Sequence, residues 1–342
     1  GLVGSEMGIR DRYDLPEGWS LTLDERMGVD GPTVTGRAIA YRHSITPSRV
    51  TNQSGDDVTG LVWHRDERAP DPGSIDHRFI GLLDDQQVLT LEFDEPIETD
   101  GAVLLADGWI EYGYSQTVFA AWQAGKRYQA PSIEVRDKDG LWHPLLMEFG
   151  YPAGMPKAMA VPLTNLPSGI NALRLSTNME IYWDRIQIVW EESLAGVSPI
   201  SIQPVSARIG KIGFPKRTTT EQRLPNYDYN DRAPYWDTKY QAGFYTALGD
   251  AHELIEKVDG ALAIIGGGEE IHLEFPALAP VLPGYERYFV LDFRGYAKDM
   301  DLYTEHGETI APLPSNLSLD TTALAHRNRL HERYNVRFQA GR

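Results

Sequence analysis

The chain of 342 residues contains no cysteine. That absence removes disulfides, zinc–thiolate sites, iron–sulfur clusters, thiol nucleophiles and c-type haem attachment together. It leaves the compartment open, because exported proteins can also do without cysteine. Long apolar runs are lacking as well, and none approaches the ~18 residues that a membrane-crossing helix requires. Positive charge is scarce: 49 acidic residues stand against 32 basic ones, a net charge of −17. Such a surface repels phosphate groups, so nucleic acid and anionic lipid are not expected as partners, and the lack of long apolar runs leaves membrane insertion unexpected. The opening residues, GLVGSEMGIRDRYD, carry neither the basic region nor the apolar core of a signal peptide, and they lack an initiator Met. The chain is therefore expected to begin after processing or inside a longer precursor.

Catalytic signatures are equally sparse. His252-Glu253 begins the pattern of a zinc-protease helix, but Glu256 stands where the second histidine is needed. Two imidazoles one turn apart are what hold that metal. The nine histidines are otherwise scattered singly, and no G-x-S-x-G elbow occurs. The run Gly266–Gly268 is followed by the alternating Ile271, Leu273 and Phe275, so it reads as a hairpin turn and not as a phosphate loop opening a helix. Asp299 and Asp301, with Tyr303, Glu305 and Gly307 after them, could offer oxygens to a hard cation such as Ca²⁺. They lack the loop length and closing Glu of an EF-hand, and a solvated acidic loop is the simpler reading. No other cofactor is expected.

What the chain does have is aromatic residues, 10% of the total, concentrated in places. The densest is Leu104–Trp122, LLADGWIEYGYSQTVFAAW, echoed at Leu291–Tyr303, LDFRGYAKDMDLY. Before each copy lies Leu-Glu-Phe, at Leu91–Phe93 and Leu273–Phe275. The echo suggests a unit of strand, loop and aromatic turn used twice. Rings that stack on sugar faces beside carboxylates that accept hydroxyl protons are a common plan for glycan sites. On that ground Trp109, Tyr112, Tyr114, Phe119, Trp122, Tyr182 and Asp184 are the candidate ligand-binding residues. Glu111, Glu180 and Asp184 would be the acids of a carbohydrate-active enzyme, the alternative reading. The bland alternative is that Trp109, Trp122 and Trp183 simply fill a core.

Along the chain, residues 1–85 read as an N-terminal arm or partial sheet, with short strands at Trp19–Leu23 and Ala38–Tyr41. Between 86 and 192 apolar residues alternate at Leu89/Leu91/Phe93, Ile133/Val135, Leu173/Leu175 and Ile186/Ile188/Trp190. Period-2 alternation buries one face of a strand and wets the other, and seven or eight such strands suggest a β-sandwich. Residues 193–243 are punctuated by Pro199, Pro204, Pro215, Pro225 and Pro234. They read as an extended Tyr/Pro-rich linker, with Tyr227, Tyr229, Tyr235, Trp236 and Tyr240 packing on something. A second, smaller β-sandwich is expected at 244–320. It would hold a short helix at Ala251–Val258 capped by Asp250, and a hairpin of Ala261–Ile265 with Glu270–Phe275. The tail, 321–342, sets five arginines (Arg327, Arg329, Arg333, Arg337 and Arg342) against Glu332. Such a tail docks on its own acidic body or anchors the chain in a larger assembly.

Several runs resemble the C-terminal region of bacterial proteins of the FG-GAP/ASPIC/UnbV group, related to cartilage acidic protein. They are DGWIEYGYSQTVFAAWQAG (Asp107 to Gly125), FGYPAGMPKAMAVPL (Phe149 to Leu163), STNMEIYWDRI (Ser176 to Ile186), FYTALGDAHELI (Phe244 to Ile255), GYAKDMDLYTEHGETIAPLP (Gly295 to Pro314) and RYNVR (Arg333 to Arg337). The resemblance implies an exported, periplasmic or extracellular protein, and it carries no catalytic residues over. Members of that group typically precede this region with a β-propeller bearing D-x-D-x-D-G calcium motifs, which this sequence lacks. The expectation is then an all-β protein of two β-sandwich units of the jelly-roll, galactose-binding-like type, with few short helices. Its expected role is a non-catalytic binding or assembly module for protein partners or glycan. A structural subunit of a larger extracytoplasmic complex is the further alternative.

Overall fold

The computed structural model describes residues 2–30, 32–34, 36–193, 199–233, 240–313 and 319–341. Strand accounts for 42% and helix for 10%, which makes the protein all-β. Its contacts divide it into two units: residues 18–195 with 218–226, and residues 1–17, 196–217 and 227–342. Both units are discontinuous in sequence, unlike the consecutive segments that the local pattern suggested.

The larger unit contains two antiparallel sheets. One runs Arg49–Thr51, Leu82–Glu92, Ala172–Met179, Ser132–Arg136, Trp142–Leu146. The other runs Lys157–Pro162, Ala102–Ile110, Ile181–Trp190, Ser44–Ile45. A single apolar cluster draws Leu89, Leu91, Ile133, Val135, Leu173 and Leu175 from the first, and Leu104, Ala106, Met159, Val161, Trp183, Ile186 and Ile188 from the second. These are the alternating positions read from sequence, so the hydrophobic effect fixes which face of each strand turns inward. The second sheet departs from simple alternation. Every residue of Ala102–Ile110 is buried, because its far face is covered too. A hairpin of Ser20–Leu23 with Ala38–Tyr41 places Ile39 and Tyr41 against Val103, Leu105, Ala160 and Val189. Buried on both faces, the strand reads as a nearly continuous apolar run, with Asp107 its one charged residue.

The smaller unit holds short sheets around two modest cores. Leu2–Pro16 is not an arm laid on the following residues: it pairs antiparallel with Tyr285–Ala297 and, at Asp11 and Arg12, with Ile200–Ser201. Ser206–Lys211 lies between Gly249–Asp250 and Glu269–Glu274. Among the described residues the expected linker is thus largely strand, including the paired Phe214–Thr219 and Pro225–Ala233. Single-residue prolines at strand ends had disguised it. Pro234, Tyr235, Trp236 and Arg342 lie outside the described residues.

Two further expectations change in this unit. Ala261–Ile265 is buried throughout but is not a strand of a hairpin, and Glu269–Glu274 pairs with Ser206–Lys211 instead. Its odd residues enter a core with Leu254, Ile255, Leu330 and Tyr334, and its even residues one with Tyr240, Tyr245 and Ile310. Side chains replace the missing ladder. The Ile264 N–H donates to Thr246 Oγ1 at 2.7 Å, the Leu262 N–H to His331 Nε2 at 2.9 Å, and Asn335 Nδ2 donates to the Leu262 carbonyl at 3.2 Å. Buried backbone groups must find partners, and here Thr246 supplies one, while His331 and Asn335, on and just after a helix far along the sequence, supply the others. That helix, Thr321–Tyr334, is the expected basic tail. Asp320 caps it by accepting the Ala323 N–H at 2.8 Å. Arg333 and Arg337 pair with Glu253 and Glu269, both at 2.7 Å. The short helix His252–Ile255 begins one residue later than expected, with Ala251 and not Asp250 at the N-cap, and ends before Val258.

Candidate functional site

The aromatic candidates separate into two groups, one buried and one exposed. Trp109 and Tyr182 face each other across the Ala102–Ile110 and Ile181–Trp190 strands. Their rings stack with centroids 5.7 Å apart and planes 11° apart. At position 108 only glycine fits, since a Cβ there would come 2.6 Å from the Tyr182 carbonyl oxygen. Trp109 is 1% exposed and Tyr182 4%. They form no open pocket, because a turn of the same unit, Thr220–Leu224, is seated on them.

The turn is held at every residue that reaches the sheet. Leu224 packs with Trp109, Tyr182 and Ala69. Trp109 Nε1 donates to the Gln222 carbonyl at 2.6 Å. The Gln222 side chain meets the backbone of Ala69 twice, accepting from its N–H at 3.2 Å and donating to its carbonyl at 2.7 Å. Glu180, 1% exposed, accepts from the Tyr182 hydroxyl at 2.7 Å and from Arg223 Nε at 3.3 Å. Burial raises the pKa of the Tyr182 hydroxyl, and the adjacent Glu180 carboxylate adds to it. The Glu180 charge raises that of Arg223. Arg223 takes a left-handed backbone at φ 63°, and its N–H closes the turn on the Thr220 carbonyl at 3.0 Å.

Asp184 sits where the pairing register shifts between Trp183 and Arg185, a bulge in the strand. Its carboxylate accepts the N–H groups of Asp66 and Glu67, each at 3.0 Å. Burial raises its pKa, those two hydrogen bonds oppose the rise, and the charges of Asp66 and Asp107 reinforce it. Asp107 in turn meets Arg185 at 2.7 Å. Two of the three acids considered as a hydrolytic set therefore hold chain segments in place: Asp184 the loop at 66–67, and Glu180 the turn at 223. The expectation that Trp109, Tyr182 and Asp184 line a ligand cleft is corrected by this packing.

The other four candidates are exposed. Tyr112 and Tyr114 meet edge to face at 5.8 Å, and Phe119 and Trp122 lie 5.5 Å apart with planes tilted by 34°. The helix Ser115–Gln123 carries the latter pair, and its amphipathicity is inverted. Ala121 is fully buried against Phe79 and Leu82, with Ala120 partly buried beside it. Thr117 Oγ1 accepts the Ile80 N–H at 3.0 Å. The small side chains face the body, while Trp122 is 68% and Tyr114 55% exposed. Helices of soluble proteins normally bury the apolar stripe.

Asp299 and Asp301 belong to a turn in the smaller unit. Asp301 Oδ1 accepts from the Tyr303 N–H and the Thr304 hydroxyl, both at 2.9 Å. Among the described residues no group of three or more His, Asp or Glu side chains converges as a metal site. The repeated unit read from sequence also diverges at this level, with Trp109 buried and its counterpart Tyr296 exposed.

Sequence reasoning missed Gln222, Arg223 and Leu224. The threonine run before them and Pro225 after them mark a turn, but nothing local tells that its leucine is buried 115 residues from Trp109. No family model matches the chain, and neither a curated protein nor a solved structure matches it.

Proposed function

We propose that the protein is a non-catalytic binding module whose contact surface is the ring set Tyr112, Tyr114, Phe119 and Trp122, and whose ligand is a neutral glycan. The inverted helix Ser115–Gln123 is the observation that carries this reading: it turns Trp122 outward and packs Ala121 inward. Exposed aromatic rings gathered in pairs, and not scattered singly, mark a surface that a partner covers. The C–H groups of a sugar face carry partial positive charge and pack on the negative faces of aromatic rings. A net charge of −17 disfavours phosphate-bearing ligands and leaves neutral glycans unopposed. The export implied by the resemblance to the FG-GAP/ASPIC/UnbV group belongs to the same proposal, since glycans are met outside the cytoplasm.

Native affinity electrophoresis through gels containing soluble glucan, xylan, mannan or galactan tests it. The expected result is retardation by at least one polysaccharide, lost in Trp122→Ala while the melting temperature stays unchanged. Unretarded migration through all four, or equal retardation of the variant, overturns the glycan reading and leaves a protein partner as the occupant of that surface.

A further inference from the structure

The strand Tyr285–Ala297 is the longest in the smaller unit after its partner, and it is an edge. Its sheet runs Ile200–Ser201, Leu2–Pro16, Tyr285–Ala297. Among the described residues, no strand pairs with its outer side. The two register shifts with Leu2–Pro16 each place the extra residue on Leu2–Pro16, so the edge strand itself runs unbroken for 13 residues. Phe289, Leu291 and Phe293 point to one face and are 65%, 53% and 47% exposed. Phe289 and Leu291 also line an apolar groove of about 480 Å³ with Phe275, Leu278 and Ile202. Long, open, apolar edges are templates for further strands, and soluble proteins commonly blunt them with lysine, proline or a bulge on the edge. The sequence YERYFVLDFRGYA has no lysine and no proline.

The charges on this edge indicate what covers it. Antiparallel pairing of the strand with itself around Val290 sets Glu286 opposite Arg294 in both halves. The same register sets Phe289 opposite Leu291, Tyr288 opposite Asp292, and Tyr285 opposite Gly295, where the absent side chain leaves room for a ring. Moving the centre to Phe289 brings Glu286 opposite Asp292, and moving it to Leu291 puts Val290 opposite Asp292. Opposite charges across a strand pair stabilise it and like charges destabilise it. Centres on a residue also keep the Phe289/Leu291/Phe293 rows of both copies on one face, so the apolar surface becomes continuous. We infer that Tyr285–Ala297 is a self-association edge, joined to the same strand of a second copy about a two-fold axis at Val290. The three-stranded sheet then becomes one of six strands, with isologous contacts as a two-fold interface requires.

Sedimentation velocity of the full chain over a range of concentrations, with paired charge reversals, tests this. The wild-type chain is expected to dimerise. Glu286→Arg and Arg294→Glu each turn two attractive pairs into two repulsive ones. Each should weaken self-association at least about fourfold, since two attractive pairs are lost and two repulsive ones are made. Mixed in equal amounts, the two variants regain both attractive pairs in the heterodimer, and mass near that of the wild-type dimer should return. Arg294 stands opposite Glu6 in the Leu2–Pro16 strand, so near-ultraviolet circular dichroism checks each fold, and Phe289→Lys, which leaves Glu286 and Arg294 in place and buries an ammonium in the joined apolar row, should also dissociate the dimer. A wild-type chain that stays monomeric at every concentration overturns the inference. So does a dimer indifferent to Phe289→Lys, or a mixture of the two charge variants that associates no better than either alone. A failed glycan assay would leave this result untouched, because the two surfaces share no residue.

Discussion

Replacing Leu224 by alanine removes the one apolar side chain that the Thr220–Leu224 turn sends onto the Trp109–Tyr182 stack. Leu224 is 3% exposed, so nearly its whole side chain leaves water on folding, worth about 1.5–3 kcal/mol. Leucine-to-alanine changes in cores cost about 2–5 kcal/mol, the upper part reflecting a cavity that cannot close. A turn closed by its own hydrogen bonds, Arg223 N–H to the Thr220 carbonyl at 3.0 Å, can settle toward the sheet as a body. The lower part of that range, about 2–3 kcal/mol, is therefore expected. Leu282, 68% exposed, gives the matched control, and its alanine variant should change stability by less than about 0.5 kcal/mol. Urea unfolding followed by tryptophan emission reads both, as a shift of midpoint at unchanged slope. A Leu224→Ala change no larger than the control's would show that the turn is not what buries Trp109 and Tyr182. The reading of that cluster as internal packing would then fall.

Gly108→Ala should destabilise by more than any of these surface changes, because the added Cβ would lie 2.6 Å from the Tyr182 carbonyl oxygen and backbone must move. Thermal melting checks it, and a variant within about 1 °C of wild type would contradict the close approach. Acid should loosen the smaller unit through His331. Burial lowers its pKa from 6.5, with the Arg327 charge adding and Asp259 opposing. Its Nε2 must stay unprotonated to accept the Leu262 N–H. The folded value lies below the unfolded one, so the unfolded chain binds more protons between the two. Stability from this group is then full above pH 6.5 and lost as pH falls through the folded value. Melting temperatures recorded from pH 7.5 down to pH 5 should fall in wild type and fall less in His331→Gln, whose side-chain oxygen accepts at every pH. Equal slopes would remove His331 from that role.

Much of the larger unit was legible because its strands obey a two-residue period. Leu89/Leu91, Ile133/Val135, Leu173/Leu175 and Ile186/Ile188 alternate in sequence and meet in one core. The exposed half of the aromatic stretch was legible in part. Tyr114, Phe119 and Trp122 are the rings that its echo at Leu291–Tyr303 does not reproduce, and all three are exposed. The buried half was not, since Trp109 and Trp122 are both tryptophans in an apolar neighbourhood. One faces inward only because Leu224 and Ala69 arrive from elsewhere to cover it.

The sequence by itself determined the class of the protein, the inward faces of the principal strands, and the absence of every form of cysteine chemistry. These follow from composition and from the pleat, which act over a few residues. Tertiary structure alone decided which distant segments pair. It joined Leu2–Pro16 to Tyr285–Ala297, gave the Thr321–Tyr334 helix a place in the core of the smaller unit, and let side chains of Thr246, His331 and Asn335 satisfy a buried stretch that never becomes a ladder. Hydrogen-bond satisfaction and burial are conditions on the whole fold, and a local pattern records the demand for a partner without recording which partner meets it.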